Sequence, residues 1–330
     1  MTKVVITGAS AGVGRAVARR FARDGATIGL IARGQERLEA TAQDVRQAGG
    51  RALVLPCDVS DADAVEAAAE RMEREMGDID IWINAAMVTM LAPFHRVKPE
   101  EFRRITDVTY LGCVHGTLAA LRRMRERNRG HIVQVGSALA YRSIPLQSAY
   151  CGAKHAIVGF TDSIRCELIH DASEVEISVA HLPAVNTPQF IWMRNLMPRR
   201  PQPLPPIFQP EVAADGIHYL AHNPRRELWI GGSSWKAILG QKLAPWVMDR
   251  ILAESAWDGQ LTDAPAGDTP DNLFEPAEGD FGAHGPFDDR ASARSPALQA
   301  TELRAGLAGA LMLGGALAAT IYFASRTRRR

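Results

Sequence analysis

The sequence predicts an α/β fold: a doubly wound, seven-stranded parallel sheet, followed by a disordered acidic linker and a C-terminal hydrophobic helix. Three observations predict it. From the N-terminus to about Ile230, short β-branched runs alternate with longer amphipathic stretches, the pattern of a parallel sheet covered on both faces. A glycine-rich turn sits at the first strand-to-helix junction. The 330-residue chain is 46% apolar and 23% charged, with 28 glycines and 19 prolines, a balance that excludes disordered and collagenous chains.

The strand runs are, in order, KVVIT, ATIGLI, RALVLP, DIDIWIN, GHIVQVGS, EISVAHL and ELWIGG. Between them, Gly14 to Asp24 and Gln35 to Ala48 carry apolar residues at helical spacing. Asp24-Gly25 and Gly49-Gly50 supply the left-handed residue that ends a helix, and Ser60 with Asp63 offers the acceptor and acid that start the next. Residues 189–210 hold six prolines, which interrupt helix and central strand alike and predict a long loop of functional type. Ser233 to Glu254 predicts a helix with an apolar stripe (Trp235, Ile238, Leu239, Leu243, Trp246, Val247, Ile251). Such a stripe is core, a subunit interface, or a membrane-facing surface beside Lys236, Lys242 and Arg250.

These elements place one folded unit at 1–255. Residues 256–300 form a Gly/Pro-rich linker: from Asp258 to Asp289 there are nine acids and no lysine or arginine, which predicts disorder. Residues 303–326 form the hydrophobic helix, uncharged over the 20 positions from Ala305 to Ala324 and followed by RTRRR. Because eleven of those 20 are Gly or Ala, spanning the bilayer and lying in its interface both remain open. The Arg cluster favours a cytoplasmic C-terminus, while the N-terminus lacks the pattern of a secretory signal. The expectation is a membrane-associated protein whose folded unit faces the cytoplasm.

Thirty-eight basic and 37 acidic residues give a net charge of +1, which offers no footprint for nucleic acid. The four cysteines stand singly, with no CxxC pair and no zinc-ligand spacing, so neither a disulfide framework nor a metal site is expected.

Thr7-Gly8-Ala9-Ser10-Ala11-Gly12-Val13-Gly14 places glycines where a dinucleotide's pyrophosphate would meet free N–H groups and the positive end of a helix. Asp58-Val59 comes directly after the third strand, and Asn84-Ala85-Ala86 ends the fourth. Ser137 ends the fifth strand, and Tyr150-Cys151-Gly152-Ala153-Lys154 gives a YxxxK pair 13 residues later. Pro183-Ala184-Val185-Asn186-Thr187-Pro188 comes after the sixth. Together these motifs resemble the short-chain dehydrogenase/reductase family, over about Thr2 to Gly232. The family has Asn-Ala-Gly where this chain has Asn84-Ala85-Ala86, and the turn from Pro183 is similar to its nicotinamide-side turn.

The resemblance implies a Rossmann-type catalytic domain. Its cofactor-binding residues would be Gly8, Ser10, Gly12, Val13, Gly14, Asp58, Val59, Asn84, Ala85, Tyr150, Lys154, Pro183, Val185 and Thr187. A Tyr and a Lys four apart share a helix face, so the ammonium would stabilise the ionised phenol and lower its pKa, making Tyr150 the general acid/base. Ser137 would donate to the carbonyl oxygen as charge develops, and Lys154 would also hold the nicotinamide ribose. Thr109 aligns with the family's fourth catalytic residue, an Asn, and offers a hydroxyl without an amide. Arg33 ends the second strand where NADP-preferring members carry a basic side chain. The sequence therefore implies an NADP-dependent oxidoreductase, and the family usually forms homo-oligomers. The apolar content of the 189–210 loop points to a small lipophilic carbonyl or alcohol substrate. The alternatives are an acyl-thioester ketoreductase and a membrane-tethered nucleotide-binding scaffold with little turnover.

Overall fold

The computed structural model describes residues 1–267 and 271–303. Seven strands form one wholly parallel sheet: β1 (Lys3–Thr7), β2 (Thr27–Ala32), β3 (Arg51–Pro56), β4 (Ile81–Asn84), β5 (His131–Ser137), β6 (Glu176–Leu182) and β7 (Glu227–Trp229). Their spatial order is 7-6-5-4-1-2-3. The order reverses between β1 and β4, and a crevice opens there at the carboxyl ends of the strands.

Alternation along each strand builds two cores. Val4 and Ile6 of β1 face α1 (Gly12–Ala22), α2 (Gln35–Gln47) and the helix Pro210–His222, where Val17, Phe21, Leu38 and Ile217 are buried. Val5, between them, faces the opposite layer of α3 (Ala62–Met76), α4 (Pro99–Thr106), α5 (Gly112–Glu126) and α6 (Ser148–His170). Trp82 of β4 is wholly buried in that second layer. Each such side chain contributes about 2 kcal/mol by leaving water. Helix ends obey local chemistry, with one difference from expectation. Asp61 caps α3, accepting from the N–H groups of Asp63 and Ala64 at 3.0 Å, while Ser60 is bound to the Asp58 carboxylate.

Three stretches depart from the sequence reading. The stripe of Ser233 to Glu254 falls on two helices, Gly232–Leu243 and Pro245–Gly259, because Pro245 starts a new first turn after Ala244. Ile238 is buried, but Leu243, Trp246 and Ile251 are exposed, so much of that stripe is surface rather than core.

The loop 189–210 is not structureless. It contains a helical turn (Gln189–Trp192) and three short strand segments; Ile207–Phe208 pairs with Ala184–Val185 and with Ala291–Ser292.

The largest departure is the acidic stretch 256–300, whose described residues are folded onto the body rather than disordered. Leu261–Pro265 pairs with Arg199–Pro201, and Leu273, Ala283, Phe287 and Leu298 are buried. Composition misleads here because its acids meet distant arginines: Asp258 pairs with Arg199, Asp271 with Arg194, and Asp280 with Arg15. Beyond Leu303 the expected hydrophobic helix lies outside the described residues. Among the described residues no helix is long and apolar enough to cross a membrane.

Candidate active site

The crevice at the strand ends is a cleft of about 370 Å³, within the range of ligand sites. Its floor is the turn from β1 into α1. A Cβ on Gly14 would stand 2.1 Å from the Gly8 carbonyl oxygen, so the turn closes only with glycine there. No side chain caps the start of α1 and no acid lies in its first turn, so the anion-binding end of the helix carries no local carboxylate. Thr7 Oγ1 accepts from the N–H groups of Ala85 and Ala86 at 3.1 Å, locking the β4 end beside the turn.

On the opposite wall, β5 ends in Ser137 and α6 begins just before Tyr150, so both side chains line the cleft. One turn further along α6, buried Lys154 donates to the Val135 carbonyl oxygen at 2.7 Å. Its Nζ lies 5.5 Å from the centre of the Tyr150 ring. Burial pushes the Tyr150 phenol above its ordinary pKa, and its contact with Ser137 opposes this only partly. Burial also pushes the Lys154 ammonium down, to about 8. The lowered Tyr pKa read from helical spacing is thus reversed, because desolvation of the phenol outweighs what its neighbours return.

All the sequence-predicted residues line this cleft except Asn84 and Thr109. Asn84 is turned into the core, accepting from Trp82 Nε1 at 2.8 Å and donating to Thr117 and Gln134. The motif locates its backbone correctly but not its side chain. Thr109 is buried in a π-helical turn, Asp107–Leu111. Its hydroxyl donates to the Val88 carbonyl at 2.9 Å and accepts from the Val88 N–H at 3.2 Å, so it is committed to main chain rather than to the cleft.

Arg33 lines the far end of the cleft, as does Arg37, which sequence reasoning missed although it stands one helical turn further on. Neither has a carboxylate within ion-pair distance among the described residues, although Arg37 is buried and Arg33 half-buried. Asp58 is nearby, with Arg104 on its carboxylate at 2.5 Å. Burial alone would raise the Asp58 carboxyl, but bonds from Arg104 and Ser60 hold it below the usual range. The remaining wall comes from the 189–210 loop (Phe190, Trp192, Met193, Leu204) and from Asn272, which no signal in the acid-rich stretch marks.

The residues therefore fit a dinucleotide: a glycine turn at a helix start without a side-chain cap, two carboxylate-free arginines at one end, and a hydroxyl–phenol–ammonium trio at the other. Comparison with known proteins agrees. Residues 2–194 match the family model described as short chain dehydrogenase. An uncharacterized oxidoreductase, YxnA of Bacillus subtilis, is 30% identical over 80% of this chain and 74% of its own. A fatty acyl-CoA reductase of Acinetobacter baylyi is 30% identical over 67% of this chain and 74% of its own. Among solved structures, an alcohol dehydrogenase from the archaeon Thermococcus sibiricus, complexed with 5-hydroxy-NADP, superposes with a TM-score of 0.60. It is 27% identical, over 69% of this chain and 95% of that one. The chain belongs to the short-chain dehydrogenase/reductase family of oxidoreductases.

Proposed function

We propose that the protein is an NADP-dependent oxidoreductase interconverting a carbonyl and a secondary alcohol on a lipophilic substrate. The observation that carries this reading is the convergence of Ser137, Tyr150 and Lys154 on the cleft that the glycine turn and Arg33 also line. When bound, the nicotinamide supplies or accepts the hydride. Gly8 to Gly14 would hold its pyrophosphate, Arg33 and Arg37 a 2′-phosphate, and Lys154 the ribose hydroxyls.

A phenol held protonated by burial is a proton donor, which suits Tyr150 to the reductive direction. Ser137 donates to the substrate oxygen and offsets its growing negative charge. Thr109 takes no part in this scheme, and its main-chain bonds give it a structural role. Phe190, Met193 and Leu204 offer the substrate an apolar wall, and the exposed Leu243, Trp246 and Ile251 support association of this face with a membrane.

A second reading, an acyl-thioester ketoreductase, draws weaker support from the likeness to the Acinetobacter protein. NADPH oxidation is followed with hydrophobic ketones and with long-chain 3-ketoacyl thioesters, for wild type and Tyr150→Phe. Tyr150-dependent turnover of a free ketone supports the first reading, and of a ketoacyl thioester alone the second. Dinucleotide binding without any Tyr150-dependent turnover leaves the scaffold.

A further inference from the structure

The segment Asp271–Asp289 is attached to the elements that frame the cleft, and its attachments fall on the groups a dinucleotide would use. Three successive main-chain carbonyls face the ribose end. Asn272 O and Phe274 O accept from Arg33 at 2.6 and 2.5 Å, and Leu273 O accepts from Arg104 at 3.0 Å. Leu273 itself is wholly buried, which pins the segment. Further along, Asp280 pairs with Arg15 of α1, and Gly282 O accepts from the Gly12 N–H at 3.1 Å. Past that point the segment meets the turn after β6. Gly285 N–H donates to Asn186 O at 3.2 Å, and a Cβ on Gly285 would stand 2.4 Å from Thr187 O.

The same segment holds the substrate loop. Asp271 pairs with Arg194 at 2.8 Å, Asn272 N–H donates to Trp192 O at 3.0 Å, and Phe281 packs edge-on against Trp192 with ring centres 4.7 Å apart. One strand of chain thus ties together the 2′-phosphate arginine, the glycine turn, the nicotinamide-side turn and the substrate loop. Only Asn272 of this segment lines the cleft, so the segment borders the cavity and does not fill it.

We infer that Asp271–Asp289 is a fourth wall of the cofactor site, one that retains a bound dinucleotide and fixes the position of Arg33 at its edge. This inference rests on the dinucleotide reading of the cleft. Cofactor exchange then requires the segment to lift, a motion that its two arginine pairs, Asp271–Arg194 and Asp280–Arg15, resist along with its main-chain bonds. Both arginines also hold a second carboxylate, Glu101 for Arg194 and Asp44 for Arg15. Removing the segment's charges therefore loosens it without stranding a buried cation.

The test uses the full-length protein loaded with NADPH and chased with excess NADP⁺ in stopped flow, the bound nicotinamide fluorescence reporting release. The variants are Asp280→Asn, Asp271→Asn, the double variant, and Glu254→Gln as a control at an exposed position outside the segment. Circular dichroism melts accompany each, and the singles stand in if the double fails to fold. The expected result is release at least tenfold faster in the double variant, intermediate in the singles and unchanged in the control. Rising salt should speed release in wild type and do little in the double variant. Equal release rates with the same salt response in wild type, both singles and the double would overturn the inference while leaving the cofactor reading intact. Failure of wild type to bind either NADPH or NADH would sink the cofactor reading itself, and this inference with it.

Discussion

Lys154 is anchored to Val135 of the strand that ends in Ser137, while its ammonium stands beside the Tyr150 ring. The strand and the helix thereby fix the spacing of the three polar groups together. Tyr150→Phe keeps this frame and removes only the proton-carrying oxygen. Turnover should fall by about 10²- to 10⁴-fold, with NADPH binding little changed, as read by steady-state rates beside fluorescence titration.

Lys154 also carries a stability cost. Its folded pKa of about 8 lies below the ordinary 10.5, so holding its charge opposes folding at neutral pH, and that penalty disappears as pH rises from about 8 to 10.5. Lys154→Met should therefore raise the melting temperature at pH 7, with a gain of about 1–3 kcal/mol that shrinks toward pH 10.5, while lowering turnover. Thermal melts against pH check the sign; a melting temperature lowered at pH 7 would refute it.

Arg33 and Arg37 line the cleft without a carboxylate partner among the described residues; Arg33 donates to two main-chain carbonyls, which leaves its charge uncompensated for a phosphate. Arg33→Ala should weaken NADPH binding by about 10- to 100-fold and NADH binding far less, a difference set by one charge-assisted pair. Titrations of both nucleotides against Arg33→Ala and Arg37→Ala measure it. Equal losses for the two nucleotides would remove the basis for NADP preference.

Behind Ser137, His181 is wholly buried with Nδ1 3.3 Å from the Ser137 carbonyl oxygen, and its other nitrogen faces Glu227. Glu227 also accepts from Tyr141 at 2.8 Å and from Trp229 at 3.1 Å. The contact with His181 first, and these two bonds after it, hold the Glu227 carboxyl down to about 2. A depressed carboxylate adds stability above its unfolded pKa of 4.5 and loses it as pH falls through the folded value. Glu227→Gln should cost about 2 kcal/mol at pH 7 and nothing near pH 2, read by denaturant melts of both proteins.

Thr109→Val would remove a hydroxyl that serves both main-chain groups of Val88. The expected loss is about 1–3 kcal/mol of stability with an unchanged pH–rate profile. A shifted profile in a stably folded variant would restore a catalytic role to this position.

The sheet is legible in the chain because a strand's period of two survives in the residues themselves: Val4 and Ile6 share one core, and Val5 belongs to the other. Ser137, Tyr150 and Lys154 are legible because a strand end and one helical turn fix where they point. Asn84 is not, since a motif gives a position in the chain while Trp82 and Gln134 decide where the amide turns. The 256–300 stretch misleads for a related reason. Composition sums the acids of a window, whereas Asp271 and Asp280 are neutralised by Arg194 and Arg15, which no window contains. The pKa of Tyr150 depends on how much water its cleft admits, and helical spacing carries no information on that.

The bond between Gly12 and Gly282 also bears on biosynthesis. The first helix emerges from the ribosome long before its late partner is made, so the nascent chain carries an unfinished nucleotide pocket through most of translation. Contacts so distant along the chain form late and slow the final folding step. Dinucleotide present during refolding should therefore speed the acquisition of activity more than the formation of secondary structure.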